Sequence, residues 1–188
     1  MGAVRDETQS DRQLVERVIG GSKAAFADIV RPLAGRLIAL AQRMLSSTSE
    51  AEEAVQDALA SVWIARRRLD PDRPIAPFLT TTVLNKCRDR LRRRKAAGFL
   101  GIAVPLDDLS LRDHSPDPET LAMDRDTLTR LRLEMDRLPV RLREALVLVA
   151  VDGYSQTEAA DLLGVTEKAV ETRIYRARKQ LQKKIDEF

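Results

Sequence analysis

The chain is poor in the residues that most chemistry needs. It has one cysteine, Cys87, and one histidine, His114, in 188 residues. A lone cysteine excludes a disulfide framework, and the pair cannot supply a Cys/His zinc site within one chain. That cysteine usage fits a reducing compartment and predicts a cytoplasmic protein. Aromatics are 4% of residues, so the core must be aliphatic. No run of about 18 apolar residues occurs, so no membrane insertion is expected. The N-terminus, MGAVRDETQSDRQ, carries acidic residues and lacks the apolar centre of a signal peptide. A glycine-rich phosphate loop and a paired-carboxylate motif are also missing. No catalytic residue, metal or cofactor is therefore expected, and the chain does not read as an enzyme. What it has is 44% hydrophobic and 32% charged residues, enough apolar material to bury a core.

The net charge of +3 hides a segregation. Residues 84–95, LNKCRDRLRRRK, carry seven basic residues against Asp89. Residues 166–184, TEKAVETRIYRARKQLQKK, carry seven against Glu167 and Glu171. Those nets of +6 and +5 leave −8 for the remainder. One such run is as well explained by a solvated helical face. Two, each ending a predicted helical unit, point to two polyanion contacts.

Helical periodicity runs through the chain, and the fold class is all-α. Asp11 to Gly20 predicts a first helix, and Ala24 to Leu45 a second that Pro32 kinks or breaks. Ser49-x-x-Glu52 reads as a capping box opening a third helix. Ala54, Val55, Ala58, Leu59, Val62 and Trp63 form its buried stripe. The prolines of 70–77 predict an irregular loop, and a fourth helix follows from Phe78 to Ala97. Periodicity then lapses over 98–118, read as a linker. Four helices fit the remainder: 118–137, a second from Leu138-Pro139 to about Asp152-Gly153, one opened by the capping box Ser155-x-x-Glu158, and one from Glu167 to about Ile185. The organisation expected is two small helical domains, 10–97 and 119–188, joined by the linker.

SQTEAADLLGVTEKAVETRIYRARKQL (155–181) carries the strongest signal. A helix-turn-helix needs a small residue where its helices touch, a turn residue tolerant of positive φ, and apolar residues facing the core. Ala160, Gly164, Val165 and Val170 meet those needs at the right spacing. The second helix would present its first turns to the major groove. Thr166 would cap it. Glu167, Lys168, Glu171, Thr172 and Arg173 would face outward near its start, with Arg176, Arg178 and Lys179 further along to suit phosphates.

With those residues in view, 138–181 resembles region four of the extracytoplasmic-function sigma factors of bacterial RNA polymerase. EAEEAVQDALASVWIARRRLD (50–70) is similar to region 2.2, and FLTTTVLNKCRDRLRRRKA (78–96) to the end of region two. The resemblance implies a promoter-directing initiation factor whose partners are core RNA polymerase, promoter DNA and an anti-sigma factor. It implies that Glu52, Glu53, Gln56 and Asp57 meet the polymerase clamp, with Trp63 either there or in the core, the core being favoured. It also implies that Asn85 and Lys86 contact the minus-ten strand. Arg88, Arg90, Arg92, Arg93, Arg94 and Lys95 would hold phosphates.

Two departures from the family pattern stand out. Glu171 occupies a place where a lysine is common, and Thr80, Thr81 and Thr82 replace mixed apolar residues. Between 70 and 96 the only aromatic is Phe78, read as a core contact, so stacking on melted bases has little support. Cys87, flanked by Lys86 and Arg88, allows a lowered thiol pKa and redox sensing, though a buried inert thiol is favoured. Two other readings of the whole chain stay open. One is a sigma-mimicking protein that sequesters an anti-sigma factor, which would not need the basic runs. The other is a plain helix-turn-helix repressor, which leaves 10–97 unexplained.

Overall fold

Helices account for the regular structure of the described residues, and each boundary has a local cause. The computed structural model describes residues 3–99 and 120–185, with side-chain surroundings for 11–97 and 129–184. The stretch 100–119 lies outside the described residues, and with it most of the expected linker and the first two residues of the helix expected over 118–137. Helix α1 (Ala3–Ile19) begins earlier than the Asp11 expected. The expected second helix is two, α2 (Lys23–Val30) and α3 (Ala34–Leu45), broken around Pro32 as its missing N–H requires.

The helix start expected at the Ser49 capping box sits two residues earlier, with a simple N-cap in place of the box. Ser47 is the N-cap of α4 (Thr48–Ile64), its hydroxyl accepting from the Glu50 amide at 3.3 Å. The serine-rich stretch offers two candidate registers. Ser46 takes the left-handed C-cap of α3 at φ 57°, which leaves Ser47 as the first residue free to cap. A short 3-10 turn, Arg66–Arg68, follows α4. Helix α5 (Ile75–Phe99) starts three residues before Phe78. Pro77 is tolerated there because the first amides of a helix have no intrahelical partner. The same helix runs on to Phe99, past the expected Ala97.

In the C-terminal half, α6 spans Thr120–Arg137 and α7 Val140–Leu146, the latter continued by a π-helical segment, Val147–Val151. Helix α8 (Gln156–Leu163) opens on a complete capping box. Ser155 Oγ accepts from the Glu158 amide at 3.1 Å, and the Ser155 amide donates to the Glu158 carboxylate at 2.8 Å. That backbone donor holds the Glu158 carboxyl below its ordinary range. Gly164, at φ 65°, makes the left-handed turn into α9 (Glu167–Ile185).

Helices α3, α4 and α5 pack together around Leu40, Met44, Val62, Val83 and Leu84, while α6, α7 and α8 pack on α9 around Leu148 and Val170. The two halves also meet. Helix α5 touches α7 and α8, and α3 touches the π segment. Arg143 on α7 is 3% exposed and donates to the Met44 carbonyl at 2.7 Å, while Arg94 on α5 donates to the Leu45 carbonyl at 3.2 Å. Both carbonyls belong to the last turn of α3, which has no intrahelical donors to offer them.

Leu84 is fully buried where α5 faces its neighbours. Leu84→Ala should destabilise the protein by about 2–5 kcal/mol, read as a lowered midpoint in urea unfolding followed by circular dichroism.

Candidate nucleic-acid and polymerase interfaces

Helices α8 and α9 form the expected helix-turn-helix. Ala160 and Val170 are buried at their crossing, and Thr166 Oγ1 accepts from the Ala169 amide at 3.2 Å, capping α9. The leading turns of α9 leave Glu167, Lys168 and Glu171 exposed. The Lys168 ammonium pairs with Glu171 at 2.7 Å. Thr172 is half-buried and donates back to the Lys168 carbonyl at 2.8 Å. Glu167 accepts from the Thr157 hydroxyl at 2.6 Å, tying the two helices together. Arg176, Arg178 and Lys179 are exposed further along. Arg173 departs from the expected outward set: it is drawn inward to Glu144 at 3.3 Å, with its side chain 19% exposed.

The other basic run, on α5, divides by helical face. Arg90 donates to Glu53 at 3.1 Å and to Asp57 at 2.7 Å, and Arg94 pairs with Glu50. These arginines brace α5 against α4. Arg88 turns the other way, donating to Glu144 at 2.7 Å and to the Asn85 side-chain oxygen at 2.7 Å. Arg92 pairs with Asp89 at 3.5 Å, and Arg93 and Lys95 are exposed. Asn85 is exposed and Lys86 half-buried.

On α4, Glu52, Glu53, Gln56 and Asp57 are all exposed and form one acidic face. Trp63 is half-buried against the core, 5.6 Å from the Phe26 ring and stacked under the Arg66 guanidinium at 4.6 Å. Phe78 is a correction to the core contact expected of it: it is 47% exposed. The helix begins before it, so it falls on the outer face of the first turn and lines an interhelical groove of about 540 Å³.

The three threonines have local uses. Thr80 and Thr82 donate to the carbonyls of Ala76 and Phe78, one turn back, and Thr81 donates across to the Leu162 carbonyl at 3.4 Å. Among the described residues no cluster of metal-ligating side chains occurs, and no helix is long and apolar enough to cross a membrane.

Glu144 was missed by the sequence reading, although a charge inside the apolar run LREALVLV was a signal that it is paired rather than solvated. Arg143 beside it carries the same signal. Burial lowers its pKa, with Asp136, 3.1 Å away, opposing that shift. Asp152, paired with Arg43, has its carboxyl pushed up by burial against the pull of Arg43 and Arg36.

Comparison with known proteins agrees with this geometry. A family model described as Sigma-70 region 2 matches residues 29–97, and one described as Sigma-70, region 4 matches residues 128–181. The chain is 38% identical over 184 residues to the RNA polymerase sigma factor CnrH of Cupriavidus metallidurans, covering 94% of this chain and 95% of that one. It is 36% identical over 176 residues to the ECF RNA polymerase sigma factor SigM of Mycobacterium tuberculosis, covering 92% and 83%. The solved complex of CnrH with the cytosolic domain of CnrY superposes with a TM-score of 0.68 at 31% identity, over 94% of this chain and 97% of that one. The RpoE–NepR complex of Bartonella quintana shares the fold, with a TM-score of 0.66 at 22% identity, over 85% and 98%.

Cys87 is fully buried, and burial pushes its thiol up to about 12 despite Arg90 and Arg88. The thiolate is therefore almost absent near neutral pH. Native protein should not react with a disulfide dye reagent at pH 8, whereas denatured protein should release one equivalent of chromophore. Rapid labelling of the native chain would restore the redox reading.

Proposed function

Because the chain belongs to the extracytoplasmic-function branch of the sigma-70 family, we propose a division of labour among its surfaces in directing core RNA polymerase to promoters. The observation that carries this reading is the capped helix-turn-helix, whose second helix exposes Lys168 and Glu171 on its leading turns and Arg176 and Lys179 behind them. Region four reads the minus-thirty-five element with the first turns of α9. Thr166, Glu167, Lys168, Glu171 and Thr172 lie nearest the bases, Arg173 reaches them only by leaving Glu144, and Arg176 and Lys179 hold phosphates. Glu171 gives this chain a reading of its own, since a carboxylate in the major groove accepts from cytosine N4.

Region two engages the minus-ten element through Asn85 and Lys86, with Arg92 and Arg93 on the backbone, and Arg88 and Arg90 join them by exchanging Glu144, Glu53 and Asp57 for phosphate. The acidic face of α4, Glu52, Glu53, Gln56 and Asp57, docks on the polymerase. Regulation in this reading falls to an anti-sigma partner, a proposal supported by the relative CnrH, which is solved with the cytosolic domain of CnrY. Such a factor works where polymerase and chromosome are, in the cytoplasm. The basic runs on α5 and α9 weigh against a mimic that never touches DNA.

Run-off transcription with core polymerase on genomic fragments tests the reading as a whole, and absence of any directed transcript would end it. Reversing charge at Glu53 and Asp57 together should weaken holoenzyme assembly, measured by co-migration with core polymerase. Assembly like wild type by that double variant, shown folded, would remove the docking assignment. For promoter reading, Glu171→Ala should change base preference at one or two positions, by about 1–3 kcal/mol for the preferred base. Arg176→Ala or Lys179→Ala should weaken binding to all sequences alike and reduce the salt slope by roughly 0.9 for each phosphate no longer neutralised. Selection from a randomised duplex library at two salt concentrations separates these outcomes.

A further inference from the structure

The first turns of α9 carry more polar side chains than they have free to offer DNA. Thr166 Oγ1 is taken up by the Ala169 amide at 3.2 Å, and the Thr172 hydroxyl donates to the Lys168 carbonyl at 2.8 Å. The Glu167 carboxylate accepts from Thr157 on α8 at 2.6 Å. Arg173 is drawn inward to Glu144 at 3.3 Å. The Lys168–Glu171 pair stands clear of these ties. Its ammonium donates to Glu171 Oε2 at 2.7 Å, and the two side chains are 80% and 54% exposed. That bond uses one of three ammonium hydrogens and one of two carboxylate oxygens, so each group keeps capacity for a second partner.

The pair has a polarity that matches a base pair. At the centre of its major-groove edge, a G·C pair presents the guanine O6 acceptor beside the cytosine N4 donor. A Watson–Crick hydrogen bond joins those two atoms, so they lie about 2.9 Å apart. Lys168 and Glu171 set a donor and an acceptor at nearly the same separation, 2.7 Å. The ammonium can meet O6 while the carboxylate meets N4. Turning the base pair round sets donor against donor and acceptor against acceptor. Electrostatics favours entry of the pair over entry of the glutamate alone. A lone carboxylate in the groove is repelled by the phosphates on either side, whereas beside the ammonium the unit carries no net charge. An exposed pair of this kind adds little to folding stability, so its partners can be rearranged on DNA at small cost to the fold.

We propose that Lys168 and Glu171 act as one recognition unit that reads the orientation of a single G·C pair in the minus-thirty-five element, lysine towards guanine and glutamate towards cytosine. The proposal rests on the assignment of α9 to that element. It differs from reading by two independent side chains in what it forbids. C·G and A·T at that position both oppose the polarity of the pair. T·A keeps the central order, thymine O4 then adenine N6, but puts a methyl group where guanine has N7, which denies the ammonium a second acceptor. The expected ranking is therefore G·C, then T·A, with C·G and A·T last.

The test uses holoenzyme assembled from core polymerase and the full chain, selecting promoter duplexes randomised in the minus-thirty-five element. Sequencing the bound duplexes reads the base preference at each position. The wild type should favour one G·C pair in fixed orientation over its reversal by roughly tenfold or more. Lys168→Glu combined with Glu171→Lys keeps the net charge and sets the glutamate nearer the helix N-terminus, the favourable order for a helix. That exchange should invert the preference to C·G at the same position and leave the rest of the element unchanged. Lys168→Ala and Glu171→Ala should each flatten that one position, and the double alanine variant should lose little more than either alone. An exchange that keeps or merely erases the wild-type orientation, or single variants that alter different positions, would overturn the coupled reading while leaving α9 as the reading helix. A holoenzyme that initiates at promoters yet selects no sequence in this element would remove the region-four assignment, and the proposal with it.

Discussion

Charge buried at the seam between the two halves is the constraint on which the rest of the structure depends. Arg143 and Glu144 are neighbours on α7, and both are nearly inaccessible to water. Charges in that position persist only when paired, and removing one partner strands the other. Arg143 answers the carbonyl end of α3 through Met44 and pairs with Asp136. Glu144 answers Arg88 and Arg173. Two consecutive residues therefore tie α3 and α5 of one half to α6 and α9 of the other, and neither tie can relax without leaving a buried charge unmet.

This constraint decides how the basic run on α5 is used. A helix presents its residues in several directions, so seven cations in sequence cannot face one ligand. Arg90 and Arg94 point to α4, where Glu50, Glu53 and Asp57 take them. Arg88 points to the seam, and Arg93 and Lys95 to solvent. The acidic face of α4 serves two purposes at once. Glu53 and Asp57 steady α5 while remaining 59% exposed to a partner. Such exposed ion pairs contribute little stability each, so they can be exchanged for intermolecular ones at small cost. The seam pairs are buried, so breaking one would leave its partner's charge without water or counter-ion.

Much of the architecture was legible in the sequence because its determinants are local. The break at Pro32, the capping box at Ser155 and Glu158, the left-handed turn at Gly164 and the cap at Thr166 each depend on residues within one turn of one another. The misplaced cap at Ser49 shows the limit of that locality. Ser47-x-x-Glu50 and Ser49-x-x-Glu52 are equally good patterns, and the choice fell to Ser46 taking the positive-φ C-cap of the preceding helix. Phe78 shows another limit. Moving the helix start from Phe78 to Ile75 changes which face each residue occupies, and the ring moves from core to groove.

By itself the sequence determined an all-helical chain, the helix-turn-helix and the two basic segments, because apolar periodicity, caps and runs of like charge act over a few residues. Only the tertiary structure decided which charges would be spent inside the protein. Whether Arg173 reaches for a base or for Glu144, and whether Arg88 meets a phosphate or a carboxylate 56 positions away, depends on which helices lie side by side. The physical reason is that desolvation and pairing are set by what surrounds a side chain in space, and the spacing of residues along one helix does not specify the charge on the next.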